Sequence, residues 1–297
     1  MKSKIAVIIV EYNTPDRCLR YISELKKASD IKDINFVVVD NYMDCDNGVF
    51  FDDAGEDVTY FRSETNAGFA AANNIGAGIA NEKYDPEYYL ISNSDISFPK
   101  ELELSKLIEV LEKHEDAAAV GPKVSSPSGT GLSPSKYVSL FRKHILANIL
   151  WPFNLFIPSV RRKNKSIIDY PSDGICYYVA GAFMLTKREA FLKAGGFDTG
   201  TFLYAEEAIL AERFLKHGMH EYYCSNAEII HEEGGTTTDK KKSELKNLLI
   251  KRKRVFESEM YYYRKYMGEK ESSIKLARLC FKFFAAKLSL YTKLKRQ

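Results

Sequence analysis

Two short apolar segments near the N-terminus decide the fold: Ile5–Asn13 reads IAVIIVEYN and Phe36–Asn41 reads FVVVDN. Both begin with a run rich in β-branched residues and end in polar ones. A segment that is apolar at every position, rather than at alternate ones, is typical of a strand buried on both faces of a parallel sheet. Between them, Thr14-Pro15-Asp16 supplies the start signals of a helix, which we expect to end near Lys27.

The same alternation of strand and helix continues to about residue 120. Further strands are predicted at Val58–Arg62, Tyr88–Ser92 and Ala117–Val120, separated by a small-residue helix at 68–80 and an amphipathic helix at 101–114. Strands joined by helices predict an α/β fold with a mostly parallel sheet flanked by helices. Ligands bind such sheets beyond the carboxyl ends of the strands. After residue 122 the pattern changes, with a strand predicted at Tyr177–Leu185 and another at Glu221–Ile230.

Composition limits the class of protein. The 297 residues include no apolar run of the roughly 18 residues that a membrane-spanning helix needs. The five cysteines contain no C-x-x-C pair, which argues against a disulfide scaffold or zinc ribbon and favours a reducing, cytoplasmic location. The net charge of +3 is unevenly distributed, because Lys240–Gln297 carries 18 Lys and Arg against five Glu. An anionic partner is therefore expected for this tail alone.

Polar groups follow four of the predicted strands: Tyr12-Asn13, Asp40-Asn41, Asn66-Ala67-Gly68 and Asn93-Ser94-Asp95. An aromatic ring beside a carboxylate suits a nucleobase, and a helix beginning at Gly68 presents free N–H groups to an anion. Asp95, with Asn93 as a neutral neighbour, is the hard oxygen ligand that Mg²⁺ or Mn²⁺ prefers. Each group alone is also common in loops, but four at equivalent positions favour a site.

The order of the motifs resembles the family-two glycosyltransferases of the GT-A fold. The matching segments are IAVIIVEYN, VVVDN, NAGFAAANNIG, ISNSD, VAGAFMLTKREAF, TFLYAEEAILAERFLKHG and IIHEEGG, within about residues 4–236. The resemblance is greatest to the bacterial branch that builds surface polysaccharides, including rhamnosyl- and galactosyltransferase-type members. It implies a GT-A-like (Rossmann-like) domain at 1–236, with a nucleotide-binding half at 1–122 and an acceptor and catalytic half at 123–236. A basic, amphipathic helical extension would follow at 237–297.

The resemblance also implies roles for individual residues. Tyr12, Asp40, Asn66 and Gly68 would bind the nucleotide, Asn93 would belong to the D-x-D equivalent, and Gly181 and Ala182 would lie beside the sugar. Asp95 and His231 would hold Mg²⁺ or Mn²⁺, and Glu206 or Glu207 would be the catalytic base. Two departures from the family pattern are Asn93, which replaces an acidic residue, and Glu206-Glu207, which replaces Glu-Asp.

The function implied is inverting, metal-dependent transfer of a sugar from a UDP- or dTDP-sugar to a polysaccharide or lipid-linked oligosaccharide. Alternatives are a catalytically inactive nucleotide-sugar-binding or scaffold subunit and, less well supported, a sugar nucleotidyltransferase. Two simpler interpretations also stand. Glu206 and Glu207 are favoured at any helix N-terminus, and a lone histidine at a strand end is more often structural than a ligand.

The basic tail leaves its own alternatives open. From Ile274 to Arg296 the helical periodicity puts Lys275, Arg278, Lys282, Lys293 and Arg296 on one face and apolar residues around most of the rest. Such a helix fits an anionic membrane surface, which would make the protein peripheral on the cytoplasmic face. It equally fits a helix packed on the domain. No recognition motif accompanies the charge, so no nucleic-acid partner is expected. The apolar segment 137–160 is interpreted as an acceptor-side flap, a second membrane contact or a core helix.

Overall fold

The structure, a computed structural model, describes residues 4–151, 173–232 and 244–294. The chain divides into two compact units. Described residues 4–135 and 173–232 belong to the first unit, and 136–151 and 244–294 to the second. The chain therefore enters the second unit twice. The domain boundary expected at 236/237 falls outside the described residues.

The described elements are numbered here in chain order. The strands are β1 Ile5–Glu11, β2 Ile34–Asp40, β3 Val58–Arg62, β4 Tyr88–Ser92, β5 Ile96–Ser97, β6 Ala117–Ser125, β7 Gly131–Ser133, β8 Gly174–Cys176, β9 Phe183–Lys187 and β10 His220–His231. The α-helices are α1 Pro15–Ala28, α2 Gly68–Tyr84, α3 Leu104–Lys113, α4 Ala147–Leu150, α5 Arg188–Lys193, α6 Glu206–Leu215, α7 Glu244–Lys265 and α8 Glu271–Leu294.

One mixed sheet organises the first unit, with strand order β3-β2-β1-β4-β9-β6-β10-β5. The four N-terminal strands β3, β2, β1 and β4 run parallel, as do β6 and β10. The predicted α/β architecture with a mostly parallel sheet flanked by helices is confirmed. One boundary differs, because β9 begins at Phe183 rather than Tyr177 and runs antiparallel to β4 and β6.

The apolar runs form strands because both faces of the sheet are covered. Ile5–Ile9 are all fully buried. On one face they pack in a cluster with residues of α1 and α3, and on the other with small residues of α2. A Cβ atom on Gly76 would lie 2.5 Å from Cγ2 of Ile8. The small residues of α2 therefore let this helix approach the sheet closely.

The second unit is helical. A π-helical turn at Phe141–Leu146 precedes α4 and packs with α8. Glu259 of α7 lies 2.5 Å from Lys143 Nζ and 2.8 Å from His144 Nε2. Burial opposes ionisation, but the contacts with Lys143 and His144 together lower the pKa of Glu259 to about 2. Val138, Leu140 and Ile145 are buried, so the described part of the predicted apolar segment contributes to a core. Its residues 152–160 lie outside the described chain.

Within residues 4–151, 173–232 and 244–294, no helix combines the length and the apolar character needed to span a bilayer.

Candidate active site

The predicted site residues converge on one edge of the sheet. The parallel strands β1, β2 and β4 end there at Glu11, Asp40 and Ser92. Since β9 is antiparallel and starts opposite Ser92, the preceding residues Gly181 and Ala182 lie at the same edge. The last residue of β10, His231, pairs with Ile96 of β5, next to Asp95. Segments that are far apart in the chain therefore meet here.

Asp95, His231 and Asn93 form the centre of this edge. His231 Nε2 lies 3.1 Å from Asp95 Oδ1 and 3.4 Å from Asn93 Nδ2. The backbone N–H of Asn93 donates to the Ala182 carbonyl at 3.0 Å, and that of Glu232 donates to the Asp95 carbonyl at 2.9 Å. The loop after β4 is thus fixed to both the start of β9 and the end of β10.

The Asp95–His231 pair has the donor chemistry of a divalent cation site. Neighbouring ligands in an octahedral site with bonds of about 2.1 Å lie about 3 Å apart, which matches the 3.1 Å between these two atoms. In the part of the chain that the structure describes, no group of three or more His, Cys, Asp or Glu side chains surrounds a possible ion. Two protein ligands fit Mg²⁺ or Mn²⁺ that is shared with substrate phosphates, because such ions keep several positions for phosphate and water.

The acidic pair lies at the start of α6, where the backbone is strained. Tyr204 and Ala205 have φ of 76° and 70°, a left-handed conformation that is costly for residues other than glycine. Two such residues in succession at a site are typical of a functional constraint. The turn places Glu207 beside Gly181, whose N–H donates to Glu207 Oε1 at 3.2 Å.

The two glutamates differ in environment. Glu206 is 2% exposed, and its Oε1 has no hydrogen-bond partner. Burial and the adjacent Glu207 carboxylate raise the pKa of Glu206. Burial also raises the pKa of Glu207, although the backbone N–H groups of Glu207 and Gly181 and the nearby His231 counteract the rise. Glu207 is only half-buried.

Asp40 anchors a second group of polar residues. Its carboxylate is fully buried and accepts hydrogen bonds from Tyr42 N at 2.9 Å, Asn47 Nδ2 at 3.1 Å and Tyr60 Oη at 2.8 Å. The ring of Tyr12 is 39% exposed and meets Tyr42 edge-on, with 5.2 Å between the centroids. The exposed ring of Tyr12 therefore contacts Tyr42, whose backbone N–H is hydrogen-bonded to the fixed Asp40 carboxylate.

Asn41, Asn66 and Gly68 continue this group toward α2. Asn41 Nδ2 donates to Asn66 Oδ1 at 3.0 Å, and Ala67 N donates to Asn41 Oδ1 at 3.2 Å. Gly68 has φ of +82°, and a Cβ there would lie 2.3 Å from the Phe202 carbonyl oxygen. Glycine is required at this position, because the loop that leads to Glu206 rests directly on the helix start. The two groups of site residues are thereby joined.

The sequence analysis missed two buried glutamates at the site. Glu11, the last residue of β1, is fully buried opposite Asp40, and its Oε2 lacks a hydrogen-bond partner. The pKa of Glu11 is raised to about 7, mainly because the carboxylate is buried and also because Asp40 is nearby. The hydrogen bond from the Thr14 N–H lowers the pKa but does not cancel the rise. The signal was an acidic residue ending an otherwise apolar run.

Glu221 of β10 is the other. Its Oε2 accepts a hydrogen bond from Val179 N at 2.8 Å, which holds the segment that leads to Gly181. Burial raises the pKa of Glu221 to about 8. An acidic residue at the start of a β-rich segment was its only signal in the sequence.

Solved structures support the fold. A mannosyltransferase from Pyrobaculum calidifontis, solved with GDP-Man and Mn²⁺, matches with a TM-score of 0.57 at 15% identity, over 99% of this chain and 76% of that one. GalNAc-T7, solved with UDP, GalNAc and Mn²⁺, matches with a TM-score of 0.57 at 16% identity, over 97% of this chain and 57% of that one. At these identities the likeness shows the fold alone.

Sequence relatives indicate the branch. The N-acetylglucosaminyl-diphospho-decaprenol L-rhamnosyltransferase of Mycobacterium tuberculosis is 24% identical over 247 residues, covering 80% of this chain and 78% of the relative. Rhamnosyltransferase WbbL of Escherichia coli is 29% identical over 167 residues, covering 55% and 60% of the two chains. The family model for glycosyl transferase family 2 matches residues 6–193, which is more than half of the chain. The chain therefore belongs to glycosyl transferase family 2 and is a glycosyltransferase.

Proposed function

We propose that this glycosyltransferase moves a sugar from a UDP- or dTDP-linked donor to a polysaccharide or lipid-linked glycan, with inversion and with a divalent cation at Asp95 and His231. One observation carries the proposal. Asp95 and His231 lie together, contacts through Asn93 join them to Ala182, and the half-buried Glu207 accepts a hydrogen bond from the neighbouring Gly181. Both components are needed for displacement of a nucleoside diphosphate by a hydroxyl group.

The donor nucleotide is assigned to the Asp40 side of the site. The Tyr12 ring is exposed for stacking, and Asp40 is held rigidly by its three donors. Asn66 and Gly68 form the adjoining wall at the N-terminus of α2, where the positive end of the helix dipole favours phosphate. Asn93, Gly181 and Ala182 would then lie along the sugar and diphosphate.

Asp95 and His231 are assigned to the cation, Mg²⁺ or Mn²⁺. When bound, this ion supplies Lewis-acid stabilisation of the negative charge on the departing diphosphate. Asn93 stands where the family has an acidic residue, so the protein contributes one carboxylate here rather than two. We therefore expect the cation to bind weakly without donor and more tightly with its diphosphate.

Glu207 is assigned as the general base. A base must be ionised and accessible to the acceptor, and Glu207 is half-buried with its charge supported by the Gly181 N–H and by His231. Glu206 is buried, and its burial and the adjacent Glu207 carboxylate raise its pKa, so we assign it a positioning role. In the reaction the acceptor oxygen bonds to the anomeric carbon while the bond to the diphosphate oxygen breaks. The hydroxyl proton passes to Glu207, and the diphosphate leaves with the electron pair.

The relatives narrow the substrates to be tested first. Two are named rhamnosyltransferases, and the name of the mycobacterial one specifies an N-acetylglucosaminyl-diphospho-decaprenol acceptor. We propose rhamnose as the first donor sugar to test and a diphosphate-linked lipid glycan as the acceptor class. An acceptor of this kind implies action at a membrane surface, with the protein bound peripherally on the cytoplasmic face.

A donor and acceptor screen tests this function. The full chain is incubated with UDP- and dTDP-sugars and N-acetylglucosaminyl-diphospho-polyprenol, with Mn²⁺, with Mg²⁺ or with EDTA. Transfer with inverted anomeric configuration, lost in EDTA and restored by either metal, is the expected result. Donor binding without transfer to any acceptor would instead favour the inactive binding subunit. Transfer that persists fully in EDTA would contradict the cation assignment.

A further inference from the structure

Helix α8 exposes a line of large apolar side chains. Leu276, Leu279, Phe283 and Leu290 are 46%, 52%, 63% and 60% exposed. Their spacing of three, four and seven residues places them on one face of the helix. The core of the second unit is formed by a different face of α8, which carries Ile274, Ala277, Phe284 and Leu288. The broad apolar surface predicted from the sequence is thus divided, with one part packed and the other open.

A basic row runs beside this apolar line. Lys275, Arg278 and Lys282 are exposed and lie one step around the helix from it. Arg278 Nη2 is paired with Glu257 of α7 at 2.9 Å, so the two lysines carry most of the net charge of the row. On α7, Lys251–Arg254 are four further consecutive exposed cations.

We propose that this face of α8, defined by Leu276, Leu279, Phe283 and Leu290 with Lys275 and Lys282, docks on an anionic membrane surface. An apolar line beside a basic row matches the boundary between acyl chains and acidic headgroups. The line extends over 15 residues, or about 21 Å, so a helix lying in the plane of the interface brings all of it into contact.

Charge favours a membrane over a second copy of the chain. The spacing of the apolar line would also suit a helix pair. In a symmetric dimer, however, the same patch meets itself, and the basic rows of the two copies would be brought together. An acidic lipid surface instead attracts the exposed Lys275 and Lys282. We therefore assign the membrane as the occupant.

The experiment measures vesicle binding of the full chain without donor, acceptor or metal, so its result is independent of the proposed reaction. Phosphatidylcholine vesicles are compared with vesicles containing 30% phosphatidylglycerol, in a sedimentation assay at low and high salt. Each lysine near an acidic surface strengthens binding about fivefold. We expect binding to the acidic vesicles only, weakened by salt.

Two double variants separate the contributions. Lys275→Gln with Lys282→Gln is expected to weaken partitioning about 25-fold, and Leu279→Ser with Phe283→Ser at least tenfold. Leu192→Ser is the matched control, because Leu192 is 52% exposed in the first unit and should leave binding unchanged. All five substituted side chains are exposed, and the four on α8 lie outside its packed face. The circular dichroism spectrum and the melting temperature of each variant should therefore equal those of the wild type.

Three results would overturn the proposal. The first is failure to bind acidic vesicles. The second is equal binding by the double variants and the wild type. The third is a concentration-dependent dimer that the Leu279/Phe283 variant abolishes, since a second copy would then occupy the face.

Discussion

Replacing Glu207 by glutamine tests the assignment of the base. Glutamine has nearly the same volume and keeps an oxygen acceptor for the Gly181 N–H, which lies 3.2 Å from Glu207 Oε1. It cannot accept the acceptor's proton. General base catalysis contributes about 10²- to 10⁴-fold, so kcat should fall by that factor, equivalent to about 3 to 5 kcal/mol in the barrier. Donor affinity and melting temperature should be nearly unchanged.

Glu206→Gln is the matched control. Glu206 is buried, and its environment favours the protonated form, so a neutral amide of similar shape should lower kcat less than tenfold. Steady-state kinetics with a saturating acceptor, isothermal titration with the donor, and thermal melting make the comparison. If Glu207→Gln kept kcat within tenfold of the wild type, or if Glu206→Gln lost as much activity, Glu207 would not be the base.

The pH dependence gives a second test of the same residue. The base must be ionised, and the pKa of Glu207 is raised above 4.5 by its burial. We therefore expect kcat to rise with pH and level off above that raised pKa. Glu206→Gln should preserve this rising limb. If kcat reached half of its plateau value at or below pH 4.5, the result would contradict the environment described for Glu207.

Three further predictions concern the cation, the α2 start and a buried acid. Asp95→Ala should abolish the Mn²⁺ enhancement of donor binding seen by titration while leaving metal-free affinity unchanged; an intact enhancement would rule out Asp95 as a ligand. Gly68→Ala should lower the melting temperature and the donor affinity, because its Cβ would lie 2.3 Å from the Phe202 carbonyl oxygen at a φ of +82°. Gly78→Ala is the control: the space around Gly78 is open, so alanine there should stabilise α2 by about 0.5–1 kcal/mol. Glu221 keeps its proton in the folded state up to about pH 8 but loses it near pH 4.5 when unfolded. Its contribution to the free energy of unfolding is therefore complete below pH 4.5 and falls by about 1.4 kcal/mol per pH unit between these two values. Chemical denaturation of Glu221→Gln should show a smaller loss of unfolding free energy over this pH range than the wild type.

Much of the fold could be predicted because strands that are buried on both faces of the sheet are apolar at every position. The continuous apolar runs predicted β1, β2 and β4, and their polar ends lie at the sheet edge where the predicted site residues meet. Residues 177–182 were wrongly expected to be strand. There the N–H groups of Val179 and Ala180 donate to the Glu221 carboxylate and to Ser133 Oγ instead of to a neighbouring strand. Side-chain competition of this kind depends on tertiary contacts that no local pattern records.

The site was predictable where helical spacing decides orientation. Glu206 precedes the buried Ile209 and Leu210 by three and four residues, a spacing that puts all three on one helix face, so its inward position follows from the sequence pattern. The left-handed Tyr204 and Ala205 could not be foreseen, because neither residue type favours that conformation. The pairing of Glu11 with Asp40 was likewise hidden, since it depends on the register between β1 and β2.

The interrupted course of the chain through the helical unit affects how the protein is made. Tyr263 Oη donates to the Val138 carbonyl across 125 residues, and Val138, Leu140 and Ile145 are buried in the unit that α7 and α8 complete. During synthesis these three side chains emerge from the ribosome long before their covering helices do. The nascent chain must therefore hold an unshielded apolar stretch until α7 and α8 have been translated. Premature stop codons after residue 232 would leave it unshielded permanently, so we expect such truncated chains to aggregate or be degraded even though every assigned active-site residue has been translated.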